Sequence, residues 1–298
     1  MKRAYRTKNF NAEHSLIIHH ADIIIQDYAK QGFTLTLRQL YYQFVSKNLI
    51  ANRQSEYDRL GDIISEARIC GLIDWEAIED RTRGLRGLQY FDAPAQAVER
   101  VLDGYQLDKW RGQAYRPEVW IEKDALIGVI EPICNELGVD YFGCRGYNSQ
   151  SEQWRAGRRF ASYYQKGQTP IVFHLGDHDP SGLDMTRDNR ERLELFCGSP
   201  VTVVRLALNM DQVQEFDLPP NPVKKSDKRW QRYVDDTGTE SSWELDALEP
   251  SYISKLISDA VLKVRNEEQW NEELLREVED REHLQDVIRG LKESDEDE

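Results

Sequence analysis

Over the first seventy residues, apolar positions recur every three or four places. Leu16, Ile17, Ala21, Ile24, Ile25 and Tyr28 fall on one face of a helix predicted over residues 10–31, which Gly32 stops. Thr36 can cap a second helix over 37–48, and a third over 55–70 carries Tyr57, Leu60, Ile63, Ile64 and Ala67 on its apolar side. Residues 72–80 read as a short strand-like piece, followed by the basic turn Arg81-Thr-Arg-Gly-Leu-Arg-Gly87. Three helices, an extended piece and a turn rich in Gly and Arg form the order of a winged helix-turn-helix. The same pattern suits a plain helical domain with a basic loop equally well.

After a connecting helix over 94–110 the rhythm changes. Strands are predicted at 117–121, 139–144, 170–176 and 201–208, with helices at 124–137, from Ser149 or Ser151 to 166, and at 182–196. Such alternation implies a mostly parallel sheet with helices on both faces, an α/β domain. The stretch 217–222 is too rich in proline for regular structure, and the basic cluster 224–229 reads as a solvated loop. From 251 to 291 the pattern is helical, with Ile253, Leu256, Ile257, Ala260, Val261 and Val264 in one stripe. This extension suits a dimer arm or a helix packed on its own domain. The expected division is 1–93, a helical linker 94–116, an α/β domain 117–250, C-terminal helices 251–292 and an acidic tail 293–298.

Composition narrows this little. With 40% hydrophobic and 31% charged residues, the 298-residue chain is that of an ordinary soluble protein. No apolar run is long enough to span a membrane, so no membrane association and a cytoplasmic location are expected. Cys70, Cys134, Cys144 and Cys197 form no Cys-x-x-Cys pair and read as apolar fillers. The net charge of −14 is uneven: residues 1–116 hold 17 Lys and Arg against 15 Asp and Glu, whereas residues 266–298 hold 4 against 14. A nucleic-acid partner for the front half therefore stays compatible with the acidic whole.

Chemistry concentrates in Gly176-Asp-His-Asp-Pro-Ser-Gly182, where a strand runs out into a loop. Asp177 and Asp179 end the third strand as Glu122 ends the first. Ligands of parallel sheets gather beyond the carboxyl ends of strands, so the three acids can converge on one edge. Oxygen ligands of this kind suit Mg²⁺, with Mn²⁺ as an alternative. An Asp-X-Asp that merely caps the next helix is the plainer reading. His174 lies in an apolar run and reads as a core histidine. On the second helix Tyr41 falls on the apolar face, while Tyr42 falls at its edge, one turn after Arg38, where its hydroxyl could reach solvent or a phosphate.

The pieces Ile121-Glu-Lys-Asp-Ala125, Cys144-Arg-Gly-Tyr147 and Gly176-Asp-His-Asp-Pro-Ser-Gly182 resemble, in order and spacing, the Toprim domain of topoisomerase VI A subunits and the related meiotic double-strand-break proteins. Thr36-Leu-Arg-Gln-Leu-Tyr-Tyr42 resembles that family's Arg-x-x-Tyr-Tyr motif, carried on a winged helix. The resemblance spans residues 33–250 and is nearest to small stand-alone A-like proteins of phages, plasmids and other mobile elements. It implies cleavage of double-stranded DNA by Tyr42, leaving a 5′-phosphotyrosyl link, with Arg38 beside the nucleophile. It further implies that Glu122, Asp177 and Asp179 hold Mg²⁺, with Glu122 also in the catalytic set. In that family the tyrosine of one protomer works with the acids of the other, which implies a homodimer. Glu244 and Asp246 match a segment near the metal edge more loosely. Arg81, Arg83, Arg86 and Arg145 are candidate DNA contacts. No Gly-x-x-x-x-Gly-Lys loop is present, so any ATPase would be a separate partner. Two alternatives stay open: a hydrolytic Toprim nuclease with no covalent intermediate, and a non-catalytic DNA-binding module.

Overall fold

The computed structural model describes residues 1–78, 90–144, 146–223 and 227–296. Three helices open the chain: α1 (Ala12–Lys30), α2 (Leu37–Ser46) and α3 (Gln54–Ile69). Asn11 caps α1, and Thr36 caps α2 in a reciprocal capping box with Gln39. Ile24, Leu40, Phe44, Leu60 and Ile64 close against one another, giving this unit a core of its own. The strand-like piece expected over 72–80 pairs only through an isolated bridge between Leu35 and Ile78 among the described residues. Its alternation breaks at Asp74 and Glu76, which turn to the N-terminal amine instead. The basic turn 81–87 lies outside the described residues. Next, α4 (Pro94–Gly104) ends earlier than expected, at Gly104, with Pro94 in its first turn.

From there strands and helices alternate as expected: β1 (Tyr115–Ile121), a 3-10 turn leading into α5 (Ile127–Glu136), β2 (Asp140–Gly143), α6 (Gln150–Gln165), β3 (Thr169–Leu175), α7 (Pro180–Cys197) and β4 (Thr202–Ala207). They are followed by α8 (Met210–Glu215), β5 (Asn221–Pro222), α9 (Trp230–Thr237), β6 (Ser241–Ser242), α10 (Pro250–Leu262) and α11 (Glu267–Glu296). Two residues of the proline-rich stretch do form structure: β5 pairs with β6 in a two-stranded antiparallel ribbon, where Pro222 is tolerated because the ribbon is all edge. Helix α8 was not anticipated; its start is closed by Gln212, whose side chain accepts from the Asn209 N–H.

The four main strands are parallel, in the order β2-β1-β3-β4. Side chains alternate between faces. Val119, Ile121, Phe173 and Leu175 pack with α5 and α10, whereas Trp120 and Val172 pack with Phe160 of α6 and Leu193 of α7. Both faces are therefore covered, as a parallel sheet requires. Of the two readings of the C-terminal helices, packing on the chain's own domain holds for α10, whose Ile253, Ile257 and Val261 enter the sheet core. Helix α11 seats Trp270 against Trp110, ring centres 5.8 Å apart, and then runs along α4. No helix among the described residues is long and apolar enough to cross a membrane.

Candidate active site

The three strand-end acids meet at the carboxyl edge of the sheet. Glu122 leaves β1 with its N–H on the Leu175 carbonyl of β3, at 2.8 Å, which sets it beside the next loop. There the Asp177 N–H donates to the Glu122 carboxylate at 2.8 Å. Asp177 in turn accepts from the Leu245 N–H at 2.8 Å, and Asp179 caps α7 by accepting from the Gly182 N–H at 2.6 Å. The plain capping reading is thus correct for Asp179, and it orients the residue without removing it from the edge. Gly182 is required here: a Cβ would stand 2.2 Å from the Asp177 carbonyl oxygen. Arg205, on β4, braces the loop from behind, donating to the carbonyls of Gly176, Asp177 and Gly182.

Burial, then the charges of Asp177 and Asp179, push the Glu122 carboxyl up to about 7. Burial likewise raises Asp177 to about 6, against the opposing pull of Lys123. Among the described residues no three acidic, histidine or cysteine groups already stand at ligand spacing. The chemistry of the donor set nonetheless fits a hard divalent cation: oxygen donors only, with Asp177 and Asp179 near enough to raise the proton affinity of Glu122. Glu122, Asp177 and Asp179 are the residues that would hold Mg²⁺ or Mn²⁺.

A second group of side chains joins this edge to α2. The Lys123 ammonium, on a mostly buried side chain, lies 3.0 Å from Asp177, 2.7 Å from Glu244 and 3.3 Å from Asp246. Arg38 approaches from α2, 3.3 Å from Glu244 and 3.5 Å from Asp246. Tyr42 donates its phenolic proton to Glu244 Oε2 at 2.5 Å, and the Arg38 guanidinium lies 3.3 Å from the same phenol oxygen. Burial works to raise the Glu244 carboxyl, but Lys123, the Tyr42 bond and Arg38 outweigh it and hold the group near about 2. Tyr42 moves the other way, above the usual phenol range, through burial and then the Glu244 charge. A cleft of about 290 Å³ opens between the two groups, with Arg38, Lys123, Asp177, Asp179 and Glu244 in its wall.

One expectation changes. Tyr42 is not a rim residue reaching solvent: it is 7% exposed, because the segment 241–249 covers the side of α2 that a helical wheel leaves open. The structure also joins Tyr42 and the acids within one chain, whereas the family resemblance implies sharing between protomers. Tyr41 is a core aromatic as read, its hydroxyl accepting from the Arg53 N–H. His174 is fully buried with Nδ1 on Thr186, yet Nε2 has no partner among the described residues. Arg81, Arg83, Arg86 and Arg145 lie outside the described residues. Sequence reasoning passed over Lys123 and Arg205. Each left a signal: Lys123 directly follows the strand-end Glu122, and Arg205 is a lone charge in the apolar run Val201-Thr-Val-Val-Arg-Leu-Ala-Leu208.

No protein-family model matches this chain, and no curated protein matches it.

Proposed function

We propose that this protein cleaves double-stranded DNA by attack of Tyr42 on a phosphodiester, leaving the 5′ end on the tyrosine and freeing a 3′ hydroxyl. One observation carries the reading: a tyrosine with an arginine beside its oxygen reaches across from a helical unit to the edge of a parallel sheet where three acids converge. On this reading residues 117–250 are a Toprim domain, and α2 and α3 belong to a winged helix-turn-helix. Helix α3 carries four carboxylates and two guanidinium groups, so contact with phosphates falls to the basic residues beyond it, Arg81, Arg83 and Arg86.

Mg²⁺ bound by Glu122, Asp177 and Asp179 would supply neutralising charge to the phosphate as it is transferred. Arg38 stabilises charge on the attacking oxygen, and Asp179 is kept aimed outward by its cap on α7. Cutting both strands takes two tyrosines, one for each strand, and hence two copies of the chain. A hydrolytic nuclease is the second reading, favoured by the burial of Tyr42, which as it stands must be uncovered before it meets DNA. Denaturing the protein after incubation with labelled duplex and Mg²⁺ decides between them. The tyrosine reading requires a covalent protein–DNA complex that Tyr42→Phe abolishes; free-ended breaks at the same rate in Tyr42→Phe would establish the nuclease.

A further inference from the structure

We infer that Glu244 is the catalytic base that takes the proton of Tyr42, with Lys123 and Arg38 holding it ready. The inference rests on the tyrosine reading and gives Glu244, which the sequence associates only loosely with the metal edge, a different task. Glu244 Oε2 already receives the phenolic hydrogen at 2.5 Å, the distance at which a proton moves without rearrangement of either group. Among the described residues bonded to that oxygen Glu244 alone can accept: Arg38 is a donor only, and Lys123 is an ammonium that lies on the same Glu244 oxygen at 2.7 Å.

The charged groups around the phenol explain why a base is required. Tyr42 faces Glu244 and Arg38 directly, with Lys123 and Asp246 one contact further. Burial and the carboxylate charge disfavour a free phenolate, so the nucleophile is not ionised in advance. The proton must leave as the bond to phosphorus forms, when the oxygen loses its basicity. The two cations keep Glu244 a carboxylate until the tyrosine proton arrives, so the acceptor is present when attack begins.

The step balances simply. The Tyr42 O–H bond breaks and its proton passes to Glu244; the phenol oxygen bonds to phosphorus. The bond from phosphorus to the 3′ oxygen breaks, its electron pair stays on that oxygen, and water supplies the proton that makes it a hydroxyl. Religation runs the same path backwards, Glu244 returning the proton to the tyrosine.

The test is single-turnover formation of the covalent complex by the full chain, on a duplex containing a site the wild type cuts. Glu244→Gln keeps an acceptor oxygen but cannot take a proton, and should slow the step by roughly 10² to 10⁴ at pH 7. DNA affinity should stay the same. At saturating Mg²⁺ its rate should rise about tenfold per pH unit from 7 to 9 as hydroxide does the work, against a flat wild-type profile. Glu244→Asp should fall between the two and stay flat, which keeps the result readable if the amide variant folds poorly. A second duplex, with sulfur in place of the 3′ bridging oxygen, gives a leaving group that needs no proton. The Glu244→Gln deficit should persist on it. The inference is overturned if Glu244→Gln is within twofold of wild type, if its profile is as flat as wild type, or if its deficit vanishes on the sulfur substrate, which would make Glu244 the leaving-group acid. Breaks without a covalent complex, unchanged in Tyr42→Phe, would overturn the tyrosine reading beneath it.

Discussion

The guanidinium of Arg205 donates to the backbone carbonyl of Asp177 at 2.6 Å, so the loop that carries two of the acids is pinned to β4 through its main chain. The same side chain holds the carbonyls of Gly176 and Gly182 at 2.9 Å each. Arg205→Met takes a donor from all three carbonyls, but the Leu208 N–H still reaches Gly176 at 2.7 Å and the Thr186 hydroxyl still reaches Gly182, so among the described residues the Asp177 carbonyl is the one left unsatisfied, at about 1–3 kcal/mol. Urea unfolding should register a loss of about 1–3 kcal/mol, with part recovered in Arg205→Lys. A loss below about 0.5 kcal/mol would mean that the loop holds its shape unaided.

Burial, with Arg205 adding to it, pushes the His174 imidazole down to about 3. The unfolded value is about 6.5, so this contribution is whole above 6.5 and drains away as pH falls toward 3. Glu122 and Asp177, raised to about 7 and about 6, act in the opposite sense: their contribution is whole below about 4 and is lost as pH rises through those values. The difference between wild type and His174→Gln isolates the imidazole from these opposing acids. That difference should change against the wild type by on the order of 4 kcal/mol between pH 7 and pH 3. A difference independent of pH would show that the imidazole does not titrate in this range.

Raised carboxyls must lose their protons before they can hold a cation. Stabilisation by Mg²⁺ should therefore grow as pH rises from 6 to 8 and shrink below 6. At a hundredfold excess over Kd it amounts to about 2.7 kcal/mol, which EDTA should remove and Asp177→Asn or Asp179→Asn should reduce. Identical melting curves with and without Mg²⁺ at pH 8 would count against a metal seat here.

Tyr42 and Asp177 are linked through Glu244 and Lys123 of their own chain. Mixing Tyr42→Phe chains with Asp177→Ala chains should consequently restore no cleavage, since neither chain holds a complete site. Recovery toward a quarter to a half of wild-type activity, estimated as roughly the share of mixed pairs with one intact composite site, would place the tyrosine on the partner's acids instead.

Much of the frame is legible in the residues. The alternation from residue 115 to 207 reads correctly because buried parallel strands are short apolar runs, punctuated by Ser149 and Asp179, whose side chains cap helices, and by Gly138, whose positive φ ends one. Glu122, Asp177 and Asp179 could be placed at one edge because strand ends of a parallel sheet share a side. The setting of Tyr42 could not be read this way. A helical wheel sees only α2 itself, and the cover over Tyr42 comes from a residue 202 positions later. For the same reason Glu244 looked peripheral: its partners come from two distant stretches, Arg38 and Tyr42 on α2 and Lys123 after β1, and no local spacing brings Glu244 to them.

The stretch that covers Tyr42 is tied down at both ends. Leu208, leaving β4, is fully buried; Leu248, just before α10, is nearly so, and both lie in the sheet core. Between them the chain meets the helical unit at Asn221, which bonds Asn52, at Glu244, and at Glu249, which accepts from Tyr28, just past the second anchor. The number of residues between the two anchors therefore acts as a gauge, setting how far the tyrosine stands from the acids. Lengthening or shortening it near Glu244 would alter that spacing and shift Trp243 and Leu245, which flank Glu244 and sit in the sheet core.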